Sequence, residues 1–296
     1  MSLNVNAWIR MLYLGLTFGL SLTILKIILQ TMEDPIWVLF WQSTFSSILL
    51  LAFVFFSKSD LSALRHNFGA LALLAAFGVI VPNIALYASA KHISVGSMSI
   101  LLALIPFFVY AIALLIKIEK LNTLRIFGLA LGFSAMFILI LPGRHLEIGT
   151  AKSWLLIGVL TPIFIASTNV FLSSARFRPI DPITIALGMN SLAAIVLAPI
   201  LFFTSASPFI FKSADLSLAV LTLSVITSVG FIVFVKLVKN HGPVFASQVN
   251  YLVTISGVAW GFIIFSESHS SQFWFALGLI LCGLFCVRPN GKKGMI

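Results

Sequence analysis

The sequence predicts an all-α integral membrane protein with ten transmembrane helices arranged as two inverted five-helix repeats. Three features carry this: lipid-length apolar runs, a bias of Lys and Arg towards alternate loops, and landmarks that recur at one offset. Of 296 residues, 60% are hydrophobic and 9% charged, with a mean hydropathy of +1.13. A water-soluble domain of this size could not build its polar surface from such a composition. A helix needs about 20 residues to cross ~30 Å of hydrocarbon, and ten runs of that length fit with only short loops left over. Runs this long exclude the ten-residue alternation of barrel strands, and lipid permits no third spanning structure.

The spans follow in order. The first, 7–29, is too long for a signal-peptide core and no small-x-small cleavage site follows it, so it is read as retained. It holds Lys26, a charge within a span. An intramembrane ion is costly and points to function, here a cavity-facing cation suited to a carboxylate. Lys26 also lies about three residues from the end of the span, where its stem could snorkel to the headgroups. Both readings stay open in the sequence. Span 36–56 brings Trp41, Gln42 and Ser46; span 67–89 brings Pro82 and Asn83. Span 94–116 contains Pro106, and span 122–141 has Gly128 and Gly132 at the spacing of close helix approach.

The second set opens with span 154–174, which carries Thr161, Pro162, Ser167, Thr168 and Asn169. Span 181–203 follows. Span 215–237 places Ser224, Thr227 and Ser228 on one face. Span 244–266 holds Asn250, Tyr251, Trp260 and the pair Gly257 and Gly261. Span 271–288 has Cys282 and Cys286 at i and i+4, a spacing that suggests neither a disulfide nor a metal site. Hydroxyls in membrane helices mostly serve interhelical bonding. Large amides and indoles need partners and room, so Gln42, Asn83, Asn250, Trp41 and Trp260 are the stronger site candidates, joined by Thr168, Asn169, Tyr251 and Lys26. Pro82, Pro106 and Pro162 are candidate hinges, because proline removes a helix hydrogen bond. Trp8, Trp37, Trp154 and Trp274 lie near span ends, where indoles favour the headgroup layer.

Loop charge orients the chain. With the amino terminus inside, thirteen Lys and Arg fall on the inner side: Arg10, Lys58, Arg65, Lys117, Lys120, Arg125, Arg176, Arg178, Lys236, Lys239, Arg288, Lys292 and Lys293. Only Lys91, Arg144, Lys152 and Lys212 fall outside. Retention of basic residues in cytoplasmic loops then sets both termini in the cytoplasm. The +10 net charge is a topological signal of this kind. It is too scattered for a nucleic-acid surface.

The repeat is visible by hand. Asp34-Pro35 precedes the second span and Asp181-Pro182 the seventh, 147 residues on; Glu119 ends the fourth span and Glu267 the ninth, 148 on. Two halves, 1–146 and 147–296, result. Five passes each make the second enter the membrane inverted, an arrangement that places a substrate site near the midplane and supports alternating access.

In these residues the chain resembles the drug/metabolite transporter superfamily, in particular its ten-helix EamA-like transporter family with the domain repeated twice. The resemblance runs from about Tyr13 to Val287. It rests on Asp34-Pro35, the stretch Tyr87 to Ser94, Leu104 to Pro106 and Ile118 to Gly128, then Gly242-Pro243 and Ser266 to Gly278. Trp41 stands where the family often has arginine, Thr254 where the first half has Pro106, and Ser173 at the repeat position of Lys26. The resemblance implies an inner-membrane exporter of amino acids or related small metabolites. An exporter of cationic or amphipathic drugs is the alternative, and a passive channel or lipid-handling protein a third reading.

Its expected partners are a small-molecule substrate and membrane lipids, without nucleic acid; the oligomeric state is open, and a monomer is compatible with it. No cofactor, metal or catalytic residue is expected. His66, His92, His145, His241 and His269 fall in or beside loops, and neither an H-E-x-x-H nor a G-x-S-x-G pattern occurs. The eight acidic residues lie in loops or at helix ends. Transport is therefore expected to depend little on a proton gradient.

Overall fold

The computed structural model describes residues 5–287 apart from 33, 58, 141–149 and 202–212. The basic residues Lys58, Arg144, Lys212, Arg288, Lys292 and Lys293 lie outside the described residues, as does His145. The first half comprises α1 (Val5–Thr31), α2 (Pro35–Ser57), α3 (Ser62–His66), α4 (Phe68–Ala75), α5 (Val81–Ala90), α6 (Val95–Leu102), α7 (Ile105–Leu115) and α8 (Thr123–Ile140). The second comprises α9 (Thr150–Gly158), α10 (Leu160–Leu172), α11 (Pro182–Leu201), α12 (Ala214–His241), α13 (Pro243–Ala246), α14 (Val249–Phe265) and α15 (Ser271–Val287). Eight stretches are long and apolar enough to cross a membrane, and two shorter apolar helices, Thr123–Ala135 and Ser271–Gly283, accompany them. The protein is an all-helical, multi-pass membrane protein among its described residues.

Several spans are built from two helices. A π-helical turn, Ala76–Ile80, joins α4 to α5, and Pro82 follows it in the first turn of α5. Ala103 and Leu104 break the span of α6 and α7 just before Pro106. Val159 breaks α9 from α10 shortly before Pro162. All three prolines thus follow irregular turns, where a missing N–H costs least. In the second half, Ser247 and Gln248 divide α13 from α14. That break comes about one helical turn earlier than the 148-residue offset from Ala103 would put it.

The halves interleave. Helix α1 packs on α14 and α12, while its counterpart α10 packs on α7 and α5. Helix α2 packs on α12 as α11 packs on α4, and α2–α11 and α8–α15 pair counterpart with counterpart. Small residues permit the closest approaches. A Cβ at Gly15 would lie 2.2 Å from that of Leu252, and one at Gly19 would lie 2.1 Å from Ser256 Oγ and 2.8 Å from the Gly257 nitrogen. Gly257 meets Ser99 likewise, Gly132 meets the Phe107 ring, and Gly283 abuts the Gly128 carbonyl.

The α7 and α14 ends repeat a detail. Lys117 (φ 61°) and Ser266 (φ 52°) both take the left-handed conformation, followed shortly by Glu119 and Glu267. Three of the four span-end indoles are half-buried or exposed; Trp37 is instead buried, edge-on to Phe40.

Candidate functional site

A cavity of about 200 Å³ lies in the middle of the bundle, walled by both halves. From the first half come Phe18, Ser21, Leu22 and Leu25 of α1, Gln42 of α2, Gly78 and Val79 of the π-helical turn, and Asn83, Leu86 and Tyr87 of α5, with Leu102 and Ile105 flanking the α6–α7 break. The second half gives Ile165, Thr168 and Asn169 of α10, Asn190 of α11, and Leu223, Thr227, Phe231 and Phe234 of α12, with Val249, Asn250 and Val253 of α14. None of these described lining residues is charged.

The wall maps onto itself under the sequence offset. Ser21 and Asn169 are 148 residues apart, and so are Gln42 and Asn190, Val79 and Thr227, Asn83 and Phe231, Leu86 and Phe234, Leu102 and Asn250, and Ile105 and Val253. Two pairs are polar on both sides, whereas Asn83 faces its counterpart in a phenylalanine and Asn250 in a leucine. The repeat therefore shapes the cavity while its chemistry stays one-sided.

A hydrogen-bond chain crosses between the halves at the wall. The Tyr87 hydroxyl donates to Gln42 Oε1, and Gln42 Nε2 donates to Thr227 Oγ1 at 3.1 Å. Thr227 in turn donates to the Leu223 carbonyl at 2.8 Å. Nearby, Thr161 donates to the Pro82 carbonyl at 2.9 Å, tying α10 to α5. Ser46 donates to the Ser224 carbonyl, while Ser224 and Ser228 bond back to their own helix. These hydroxyls serve the seams, as intramembrane Ser and Thr commonly do.

Gln42, Asn83, Thr168, Asn169 and Asn250 therefore come together in one wall, and four other candidates do not. Trp41 is the neighbour of Gln42 but turned about 100° around the helix. It stacks on Phe45 with ring centroids 5.6 Å apart. Tyr251 is turned from the cavity in the same way relative to Asn250. Trp260 lies seven residues, about 10 Å, beyond Val253 along α14. Pro82, Pro106 and Pro162 do not line the cavity; each follows an irregular turn.

Lys26 is not among the residues that line the cavity, and its ammonium is held by other groups. Its Nζ donates to the Ile93 carbonyl at 2.9 Å and pairs with Glu267 Oε1 at 3.4 Å, 5.6 Å over the Phe265 ring. Glu267 accepts from the Val95 and Gly96 amides at 2.8 and 3.1 Å, capping the N-terminus of α6, where a carboxylate complements the helix dipole. His269 Nε2 stands 3.7 Å from Glu267, and its ring stacks on Phe273. Burial pushes the His269 imidazole below its ordinary pKa, against Glu267, which raises it, and with Lys26, which lowers it further. The other repeat glutamate, Glu119, pairs with Arg125 at 2.9 Å within its own half. Only Glu267 of the two joins the halves by an ion pair among the described residues.

Tyr87, Asn190, Phe18, Phe231 and Phe234 were not among the sequence candidates. The offset could have found Asn190, since it stands 148 after Gln42. The phenylalanines carried no signal, as phenylalanine occurs 28 times in the chain.

Among the solved structures that are similar is a crystal structure with a TM-score of 0.67 at 16% identity, covering 93% of this chain and 95% of the other. At that identity it speaks to the fold alone. No curated protein matches the sequence. The model of the EamA-like transporter family matches residues 6–141 and again 152–288. With two matches, one to each half, that together cover nearly the whole length, the chain belongs to the EamA-like transporter family.

Proposed function

We propose that this membrane transporter works by alternating access in the inner membrane, with ten spans in two inverted halves, 1–146 and 147–296, both termini cytoplasmic. Its cargo is proposed to be amino acids or related small metabolites, carried outwards. The observation that carries the reading is the central cavity whose wall repeats at 148 residues across the two halves. Two halves that can exchange conformations about such a site expose it to each side in turn. Amides for orientation set among aliphatic and aromatic surface suit a small polar metabolite. Glu119 and Glu267 hold helix ends, so exchange is proposed to run without strong coupling to a proton gradient.

A second reading, export of cationic or amphipathic drugs, is favoured by one observation. The only charged group proposed for the site from sequence, Lys26, is committed to Glu267, and the aromatic rings Phe18, Tyr87, Phe231 and Phe234 line an uncharged wall. Counterflow in proteoliposomes tests both. Vesicles are preloaded with single amino acids, nucleosides or organic cations, and entry of the labelled compound is followed. Saturable exchange of one class supports a carrier and names its cargo. Flat traces across the panel, with folded protein, would overturn the carrier reading for these classes.

A further inference from the structure

Resting on the carrier reading, we infer that the cavity reads the protonated amine of its substrate, through outward amide oxygens and aromatic faces, and has no dedicated receptor for a carboxylate. The orientation of three amides follows from chemistry. Asn83 Nδ2 donates to the Val79 carbonyl at 2.8 Å, Asn190 Nδ2 to the Ala186 carbonyl at 2.9 Å, and Asn250 Nδ2 to the Ser247 carbonyl at 2.8 Å. A backbone carbonyl can only accept, so the end of each amide turned to its own helix must be the NH₂. The oxygen is then the outward end, with no more than one N–H beside it.

The hydroxyls of the wall are spent in the same sense. Ser21, Thr168 and Thr227 each donate to a carbonyl of their own helix, at Phe18, Phe164 and Leu223; Ser21 and Thr168 leave lone pairs to a ligand, while Thr227 already accepts from Gln42. The Tyr87 hydroxyl donates to Gln42 Oε1. Asn169 alone keeps an Nδ2 without a partner.

The consequences differ for the two ends of a zwitterion. An ammonium has three donors and no acceptor, which amide oxygens, hydroxyl lone pairs and ring faces all serve. Neutral oxygen dipoles can replace the hydration shell of a cation, as rings of carbonyls do in channels. A carboxylate has about four acceptor sites. Among the described lining residues it meets no Lys or Arg, one free amide NH₂ and single leftover N–H groups. Lys26, its natural counter-ion, is held by Glu267.

The test is a head-group series on one aromatic body: 2-phenylethylamine, phenylalanine and 3-phenylpropanoate. Binding to the full chain in detergent is measured alongside counterflow in proteoliposomes. The expected order of affinity is amine, then amino acid, then carboxylate, with about tenfold or more between first and last, the factor that one charge-assisted hydrogen bond supplies. Asn83→Leu and Asn190→Leu should each weaken amine binding by about the same factor. If these variants do not fold, the series on the unaltered chain decides alone. Preference for the carboxylate, or equal binding of all three, overturns the inference and leaves the carrier standing if exchange persists. Amine binding without exchange of any compound overturns the carrier reading and leaves the recognition intact. Absence of binding by all three to folded protein overturns the inference, and the wider counterflow panel then judges the carrier separately.

Discussion

Glu267 serves four groups at once: two amides of α6, the Lys26 ammonium and the His269 edge. Removing its carboxylate leaves the helix donors without their acceptor and the Lys26 ammonium with the Ile93 carbonyl but no counter-ion. Glu267→Ala is therefore expected to destabilise the fold by about 1–2 kcal/mol, the scale of a lost cap, read as a lower unfolding midpoint in detergent. Glu267→Gln keeps an acceptor oxygen and should lose less. Midpoints for both variants equal to that of the unaltered chain would show that the cap contributes nothing.

His269 adds a pH dependence whose sign is fixed. Its folded pKa lies below the ordinary 6.5, so the unfolded chain binds the proton more readily. This contribution to stability is full above pH 6.5 and is lost as pH falls from there through the folded value. The midpoint should drop between about pH 7.5 and about pH 5, and His269→Phe, which keeps a ring against Phe273, should flatten the drop.

At the scale of elements, α1 and α14 meet through glycine. Gly15 and Gly19 are four residues apart on α1 and face Leu252, Ser256 and Gly257, and Ser256 donates to the Gly15 carbonyl at 2.6 Å. A Cβ at Gly19 strikes backbone as well as side chain, so the helices must part to admit it. Gly19→Val should cost about 1–3 kcal/mol, the range for overpacking, in the same unfolding measurement. Gly69→Ala is the control, because nothing lies within 4 Å of the Cβ it would add. A midpoint for Gly19→Val equal to that of the control would refute the close packing. The broken spans also belong to this scale. The π-helical turn Ala76–Ile80 supplies Gly78 and Val79 to the cavity wall and Leu102 and Ile105 flank the break at Ala103, so an irregular turn forms part of the wall itself.

For the whole molecule, alternating access requires contacts between the halves to open and close. Lys26 and Glu267 stand 241 residues apart in sequence and join α1 to the segment after α14. In a Lys26→Cys/Glu267→Cys double variant, a cleavable bifunctional thiol reagent should stop counterflow, and cleavage should restore it. Undiminished exchange in fully cross-linked protein would mean that this contact need not open during transport. Under the proposed topology the cross-link lies at the external end of the bundle.

The sequence by itself determined the spans, the repeat and part of the wall. Hydropathy and loop charge are sums over neighbouring residues, which is why span ends fall within a few residues of those expected, as at Pro35–Ser57 and Ser271–Val287. The offset matched Glu119 with Glu267, and the cost of an amide in lipid marked Gln42, Asn83 and Asn250, all of which line the cavity. Tertiary structure alone decided which way each side chain turns. A step of one residue rotates a side chain about 100°, which separates Gln42 from Trp41 and Asn250 from Tyr251. It also decided the partner of Lys26, since Glu267 is brought to it by packing between the halves. Whether an amide shows its NH₂ or its oxygen depends on the carbonyl one turn away. That choice belongs to the folded helix, and no pattern of residues displays it.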